Sequence, residues 1–412
     1  MVFVSGPCAL KLNNIFKFGS GGYTRGSRRR DIATPGCSGP ARRLAWTLSL
    51  PALAAVLLGT CPACRRPPEP SQQAVVVYTS VDDVFAREVL DRFERDTGVT
   101  VKLLTDTEAG KTTGFLRRLQ REAAQPRCDI WWSSEVFGTV ELSGGTDGSI
   151  EQGTERGPGL EHDGAKPVQS APVAVGLFEP YTSPAAADIP PAWKDPQQRW
   201  TGLAARARVL AFNTNRLSAS DLPRTWQELA EPRWANRLAF ANPQFGTTRG
   251  HVAAMYAAWG PEQTRAFLQA LRDNGTQIAD GNGHAVRLVA SGAVDLCATD
   301  TDDVWVAQAR GEPVDLVYPR LTPDGPIVWI PCSVAVVRGG PNPAAARRLF
   351  DYLVSAEGER MLAQSESRNV PVRAAVREAL KISEPWPEPL DYQRIAEVLG
   401  PATEMSREIL TR

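Results

Sequence analysis

AVVVYTS at 74–80, VDDVFAREVLDRFERDTG at 81–98, VTVKLLTD at 99–106, GFLRRLQREAAQ at 114–125 and CDIWWSS at 128–134 together decide the fold. The first run is continuously apolar and rich in β-branched residues, as expected of a strand buried on both faces. In the second, Val84, Phe85, Val89, Leu90 and Phe93 recur at helical spacing and Gly98 supplies the stop. The remaining stretches read as strand, helix and strand. This alternation predicts a parallel sheet with helices on its faces. Ligands of such sheets bind beyond the carboxyl ends of the strands. Tyr78, Thr79, Ser80, Asp82, Ser133, Ser134 and Glu135 stand just past those ends.

Downstream, residues 143–170 are Gly-rich, polar and without apolar periodicity, and read as an inserted flexible loop. RVLAFNT is extended, TWQELAE (225–231) a short helix and RLAFANP (237–243) a strand. A helix opens near Thr247 or Thr248, and 264–275 and 284–294 are helical. DLCATD (295–300) is a strand and DDVWVAQARG (302–311) a helix. VDLVYP (314–319) and VWIPCSVAVVRG (328–339) are strands, and 343–364 makes two more helices.

A length of 412 residues suits two lobes plus a leader. The 46 basic and 46 acidic residues balance overall. Ten and two of them fall in 1–73, which leaves 36 and 44 in the body, a net of −8. An acidic body lacks the basic footprint that nucleic-acid binding needs. Arg42-Arg43 precedes the apolar run LAWTLSLPALAAVLLG (44–59), too short to span a bilayer and interrupted by Pro51, as in a secretory signal. LLGTC resembles a bacterial lipobox ending at Cys61, with Thr60 where Gly, Ala or Ser is usual. Residues 1–41 read as an unstructured or mis-assigned extension, 42–61 as signal peptide and lipobox, and 62–73 as a Pro-stiffened tether. Cys128, Cys297 and Cys332 fit no zinc or redox spacing. They read as buried small hydrophobes, with a single disulfide left open.

Several polar residues have both a structural and a ligand-binding reading. Asp300, Asp302 and Asp303 follow a strand and open a helix, so they are either first-turn acids or cleft ligands. Asp82, Asp83 and Glu135 carry the same two readings, and Thr79 and Ser80 are strand-end turns or hydroxyl donors. Gly246, Thr247 and Thr248 open a helix whose free N–H groups would suit an anion. Arg206 and Arg208 alternate on an extended segment and share one face. His162, His251 and His284 are isolated, and of Trp131 and Trp132 one is expected in the core and the other at the cleft. No nucleophile elbow, phosphate-loop lysine or HExxH pattern occurs, so no enzyme is expected.

The order YTS, CDIWWSSE, EPYTSP, GLAARARVLAFNTNRL, EPRWANRLAFANP, TDTDD and NPAAARRLFDYLVSAEGE over about 74–375 resembles bacterial periplasmic solute-binding proteins of the ferric-iron group. The resemblance implies the two-lobed periplasmic-binding-protein fold (type II), α/β, with hinge strands and an interlobe cleft. Lobe 1 would take 74–207, lobe 2 208–327, and 328–412 would return to lobe 1 and add C-terminal helices. Glu135 matches the family's carboxylate ligand, Asp82 stands where many members place His, and Thr301 and Asp302 stand where ferric binders carry a Tyr pair. Relatives hold an anion near the positions of Thr247, Thr248, Arg206 and Arg208. The implied function is capture of a small ligand for an inner-membrane ABC permease and ATPase, by a periplasmic monomer, lipid-anchored through Cys61 if that cysteine is modified. The implied ligand is Fe3+ or another hard cation, with or without a synergistic anion, on Asp82, Glu135, Asp300 and Asp302. A small organic anion or phosphonate without metal is the alternative, and an exported hydrolase a third.

Overall fold

A computed structural model describes residues 73–105, 111–144 and 176–411, and all of these lie in a unit running from Arg66 to Arg412. The leader, Cys61, the tether up to residue 72 and most of the 143–170 insert fall outside the described residues.

The first elements are β1 (Ala74–Thr79), α1 (Asp83–Thr97), β2 (Thr100–Thr105), α2 (Lys111–Arg121), β3 (Ile130–Ser133) and α3 (Phe137–Leu142). After a stretch of short 3-10 turns comes β4 (Thr201–Asn213). It is followed by β5 (Leu238–Ala241), α4 (Gly246–Trp259), α5 (Pro261–Asp273), β6 (Gln277–Ala279), α6 (Asn282–Ala290), β7 (Leu296–Asp300), α7 (Thr301–Ala309) and β8 (Val314–Val317). The chain closes with β9 (Trp329–Val336), α8 (Pro343–Leu353), α9 (Ala356–Gln364), α10 (Ala374–Leu380), α11 (Tyr392–Glu397) and α12 (Leu399–Leu410).

As the alternation predicted, β1 pairs in parallel with β2 and β3. β9 adds antiparallel to β3. On the far side, β5 lies parallel between β6 and β7. β4 joins the halves. Its first part, through Ala207, pairs with β9, and from Arg208 onward it pairs with β7 and then also with β8. Every residue of β4 and β9 is buried, so the two strands form the spine between the lobes.

A register shift in β4 falls between Leu203 and Ala205, where Ala204 takes φ 35°. The amide freed by that bulge donates to Glu359 Oε1 at 3.2 Å, and Val372 N donates to the same oxygen at 2.9 Å. Glu359 Oε2 lies 3.2 Å from Arg373 Nη1, both residues being buried. A fully desolvated ion pair thus fixes an irregularity in the hinge strand.

The core face of α1 is Phe85, Ala86, Val89, Leu90 and Phe93. Val84, expected among them, is 69% exposed because at 100° per residue it falls on the opposite face, with exposed Arg87, Glu88 and Asp91. Trp131 and Trp132 are both fully buried, so neither lines the cleft. The two flank a strand covered on each face, and Trp131 Nε1 donates to Thr139 Oγ1 at 2.9 Å. TWQELAE is a 3-10 turn (Trp226–Ala230), closed by a capping box between Thr225 and Glu228. Cys128, Cys297 and Cys332 are buried and free, with burial raising each thiol pKa. α11 packs on α3 and α4, and α12 on α4 and α5. α3 and α4 also touch each other: a Cβ on Gly250 would sit 2.1 Å from the Phe137 ring, so only glycine permits this approach.

Candidate functional site

Three strands of the second lobe, β5, β6 and β7, run parallel and each feeds a helix. The N-termini of α4, α6 and α7 therefore meet at one end of the sheet. None of the three has a side-chain cap hydrogen bond from its N-cap residue, Phe245, Gly281 or Asp300. The first-turn residues Gly246, Thr247, Thr248, Asn282, Gly283, Asp302 and Asp303 line a cavity of about 100 Å³, closed from the other lobe by Ser80, Asp82, Thr112 and Ser134. Uncapped helix N-termini present free N–H groups and positive dipole ends, which favour an oxyanion. Gly246 has φ 53°, so any side chain there would strain the backbone although the space beside it is open.

Arg208 and Asp300 knit this end together. Arg208, fully buried, donates from Nη1 to Asp300 Oδ1 at 2.8 Å, to Asn282 Oδ1 at 3.1 Å and to Thr247 Oγ1 at 3.3 Å. Its Nε faces His251 Nδ1 at 3.4 Å. Asp300 Oδ2 accepts from Thr247 Oγ1 at 2.5 Å and Asn282 Nδ2 at 2.8 Å. One carboxylate and one guanidinium thus tie β4 and β7 to the starts of α4 and α6. His251 is buried against Trp226 and Phe240, and burial together with the Arg208 charge lowers its pKa well below the ordinary value.

Arg206, two residues back on the same face, pairs with Asp302 Oδ2 at 2.9 Å and reaches Asn369 Oδ1 at 3.3 Å and Cys332 Sγ at 3.5 Å. Burial pushes the Asp302 carboxyl up to about 6; Arg206 opposes the rise while Asp300 and Asp82 add to it. Asp303 is raised well above the ordinary value, first by burial and then by the charges of Asp302, Asp300 and Asp82. Ligand oxygens of Asp300, Asp302 and Asp303 lie within 4.8 Å of one another. Asp302 Oδ1 is buried and has no hydrogen-bond partner among the described residues. Crowded carboxylates with an unsatisfied oxygen suit a hard cation, and the amides beside them suit an anion.

The structure brings together Ser80, Asp82, Arg206, Gly246, Thr247, Thr248, Asp300 and Asp302 around this cavity, with Arg208 directly behind. Thr79 and Thr301 serve the backbone instead. Thr79 Oγ1 donates to Trp132 O at 2.7 Å and accepts from Val81 N, and Thr301 Oγ1 accepts from Ala207 N at 3.3 Å. Glu135 lies outside the aspartate cluster. Its carboxylate accepts from Phe137 N at 2.5 Å and Gly138 N at 3.2 Å, capping α3 in a crevice beside Gly246 and Arg249. Burial raises it to about 7, opposed by those amides and by Arg249.

Sequence reasoning passed over Asn282, Asn369 and Cys332. A lone Asn in GNGH carries no pattern of its own. The helix was expected from 284, and its start at Asn282 is what puts that amide in the network.

A two-lobed α/β scaffold with a polar cavity at the meeting of helix N-termini and the strand that joins the lobes defines a solute-binding protein. The match to a family model described as bacterial extracellular solute-binding protein covers residues 157–394, and the chain belongs to that family. It is 26% identical over 350 residues to iron uptake protein A1 of Synechocystis, covering 82% of this chain and 87% of the relative. It is 25% identical over 304 residues to the major ferric iron-binding protein of Neisseria meningitidis, covering 71% and 79%. The fold is shared with iron-bound HitA of Pseudomonas aeruginosa at a TM-score of 0.65 and 20% identity, covering 82% of this chain and 99% of that one.

Proposed function

We propose that this chain is the solute-capturing component of an ABC import system, working outside the inner membrane and delivering to a permease and its ATPase. Its cargo in this reading is ferric iron or another hard, oxygen-liganded cation, bound together with an oxyanion. The observation that carries the reading is the placement of opposite preferences side by side. Asp300, Asp302 and Asp303 offer carboxylate oxygens within 4.8 Å, directly beside three uncapped helix N-termini. The names of the iron-binding relatives support the same cargo. Without a tyrosine pair at 301–302, the cation would be held by carboxylates, with Asp82 adding charge, while Gly246, Thr247, Thr248 and Ser80 hold the anion. The partner change of β4 at Ala207–Arg208 supports a lobe boundary there, with lobe 2 over 208–327. Anchoring through lipid on Cys61 belongs to this reading. Capture rather than turnover is the role, in keeping with relatives that are binding proteins.

A second reading, an oxyanion or phosphonate without metal, draws on the pairing of Arg208 with Asp300 and of Arg206 with Asp302, which already neutralises two of the three acids. Thermal unfolding of the purified protein separates the two, because a ligand of the folded state raises the midpoint by mass action. Ferric ion with phosphate should shift it more than phosphate or methylphosphonate alone. A shift with either anion and no further effect of any metal would discard the cation.

A further inference from the structure

The polar cavity lies between two edges of the cleft, and the fold builds them differently. In the second lobe the chain crosses from β5 through α4 and α5 to β6, then turns back through α6 to β7 on the far side of β5. Right-handed connections in opposite directions place α4 and α5 on one face of that sheet, and α6 with α7 packed on it on the other. The same reversal in the first lobe, from β1 to β2 and back to β3, sets α1 apart from α2 and α3. One edge of the cleft is therefore bordered by α2, α3 and α4, the other by α1, α6 and α7.

The first of these edges is packed shut. Phe137 of α3 lies against Gly250 of α4, and the crevice beside them, lined by Thr112, Glu135 and Arg249, has no room for a water molecule. The C-terminal helices hold it. Tyr392 of α11 meets the Phe137 ring at 6.0 Å and donates to Trp329 O, at the start of β9, at 3.1 Å. Arg249 of α4 pairs through Nη1 with Glu141 of α3 at 3.3 Å, and its Nε donates to Thr403 Oγ1 of α12 at 3.0 Å. One guanidinium thus joins both lobes and the last helix. At the other edge a chamber of about 460 Å³ separates Phe85 and Thr105 of the first lobe from Arg287, Val306 and Arg310 of the second. It shares Ser80, Asp82, Gly283, Asp302 and Asp303 with the polar cavity, so the two are continuous.

We propose that the α2–α3–α4 edge is a fixed pivot braced by α11 and α12, and that the cleft opens at the α1–α6–α7 edge, which admits the solute. Parting the braced edge would expose the Phe137 and Tyr392 rings and break the contacts of Arg249, whereas parting the other only widens an existing chamber. The entrance rests on the cleft being the solute site; the pivot does not depend on the cargo.

Double electron–electron resonance on the full chain tests this, with Cys8, Cys37, Cys61 and Cys64 replaced by Ser and the buried Cys128, Cys297 and Cys332 retained. Nitroxides on Glu88→Cys/Arg310→Cys span the entrance edge, and on Arg117→Cys/Gln269→Cys the braced one; all four positions are exposed. Without ligand, the entrance distances should be spread more widely than the braced ones. Ferric ion with phosphate should shift the entrance distance by more than about 2 Å and the braced distance by less. Arg249→Gln should broaden the braced distribution. Gly250→Ala, whose Cβ would sit 2.1 Å from the Phe137 ring, should lengthen the braced distance, and adding Phe137→Ala should restore it. Equal spreads at the two edges without ligand, a larger ligand shift at the braced edge, or a braced distance unmoved by both Arg249→Gln and Gly250→Ala would overturn the inference. Ligand-free asymmetry with no shift on adding ferric ion and phosphate supports the pivot and counts against the cation alone.

Discussion

Replacing Arg208 with methionine keeps the length and apolar stem of the side chain and deletes its charge. In the folded protein Arg208 is fully buried, and the Asp300 it pairs with at 2.8 Å is 2% exposed. Removing one partner of a buried pair leaves a carboxylate without its counter-charge, which costs about 3–5 kcal/mol. Thr247 and Asn282 still donate to Asp300 Oδ2, so the expected loss sits near about 3 kcal/mol. Adding Asp300→Asn removes the stranded charge and should recover most of that loss, leaving a deficit of about 1 kcal/mol from imperfect hydrogen bonds. Urea unfolding followed by tryptophan fluorescence measures both variants. The reasoning fails if Arg208→Met costs under about 1 kcal/mol, or if the double variant is no more stable than the single one.

Three other outcomes follow from particular contacts. The Asp302 and Glu135 carboxyls are raised in the fold, to about 6 and about 7, so the native state holds protons that the unfolded chain has released. Ligand-free stability should therefore fall as pH rises from about 4 to 7, and Asp302→Asn with Glu135→Gln should reduce that slope in urea titrations, the remainder coming from Asp303. Cation affinity should rise over the same interval, since ligating carboxylates must lose their protons. Glu135→Ala should cost about 1 kcal/mol through loss of the α3 cap while leaving ferric–phosphate binding within about twofold; loss of binding in calorimetry would return Glu135 to the ligand set. Glu359→Ala leaves Arg373 with Asp188 at 2.7 Å but frees the Ala204 and Val372 amides of the β4 bulge, with an expected loss of about 1–3 kcal/mol in urea unfolding.

The βαβαβ order of the first lobe was legible because its strands are continuous apolar runs and its first helix has a regular apolar face. The return of β9 beside β3 and β4 was not, since nothing in VWIPCSVAVVRG names its partners. Val84 shows the limit of a list of apolar positions: at 100° per residue it lies opposite Phe85, Val89, Leu90 and Phe93, on the face of exposed Arg87, Glu88 and Asp91. At the site, Arg206, Arg208 and the acids at 300–303 were readable because alternation and helix-start position give them a shared face. Glu135 sits at a similar strand end, but its carboxylate turns back onto the amides of Phe137 and Gly138 because α3 begins two residues later. A sequence reports that an acid precedes a helix; whether it caps that helix or reaches across a cleft depends on a rotamer. Asn282 was silent for a related reason, being joined to Arg208 and Asp300 only in three dimensions.

Calorimetric titration of ferric ion with phosphate into the full chain and into Asp302→Asn/Asp303→Asn tests the central claim most directly. The account predicts one saturable site in the natural protein, weakened by about tenfold or more in the double variant, which removes two of the three clustered carboxylates. An absence of binding to the natural protein, or equal affinity in the two, would contradict it.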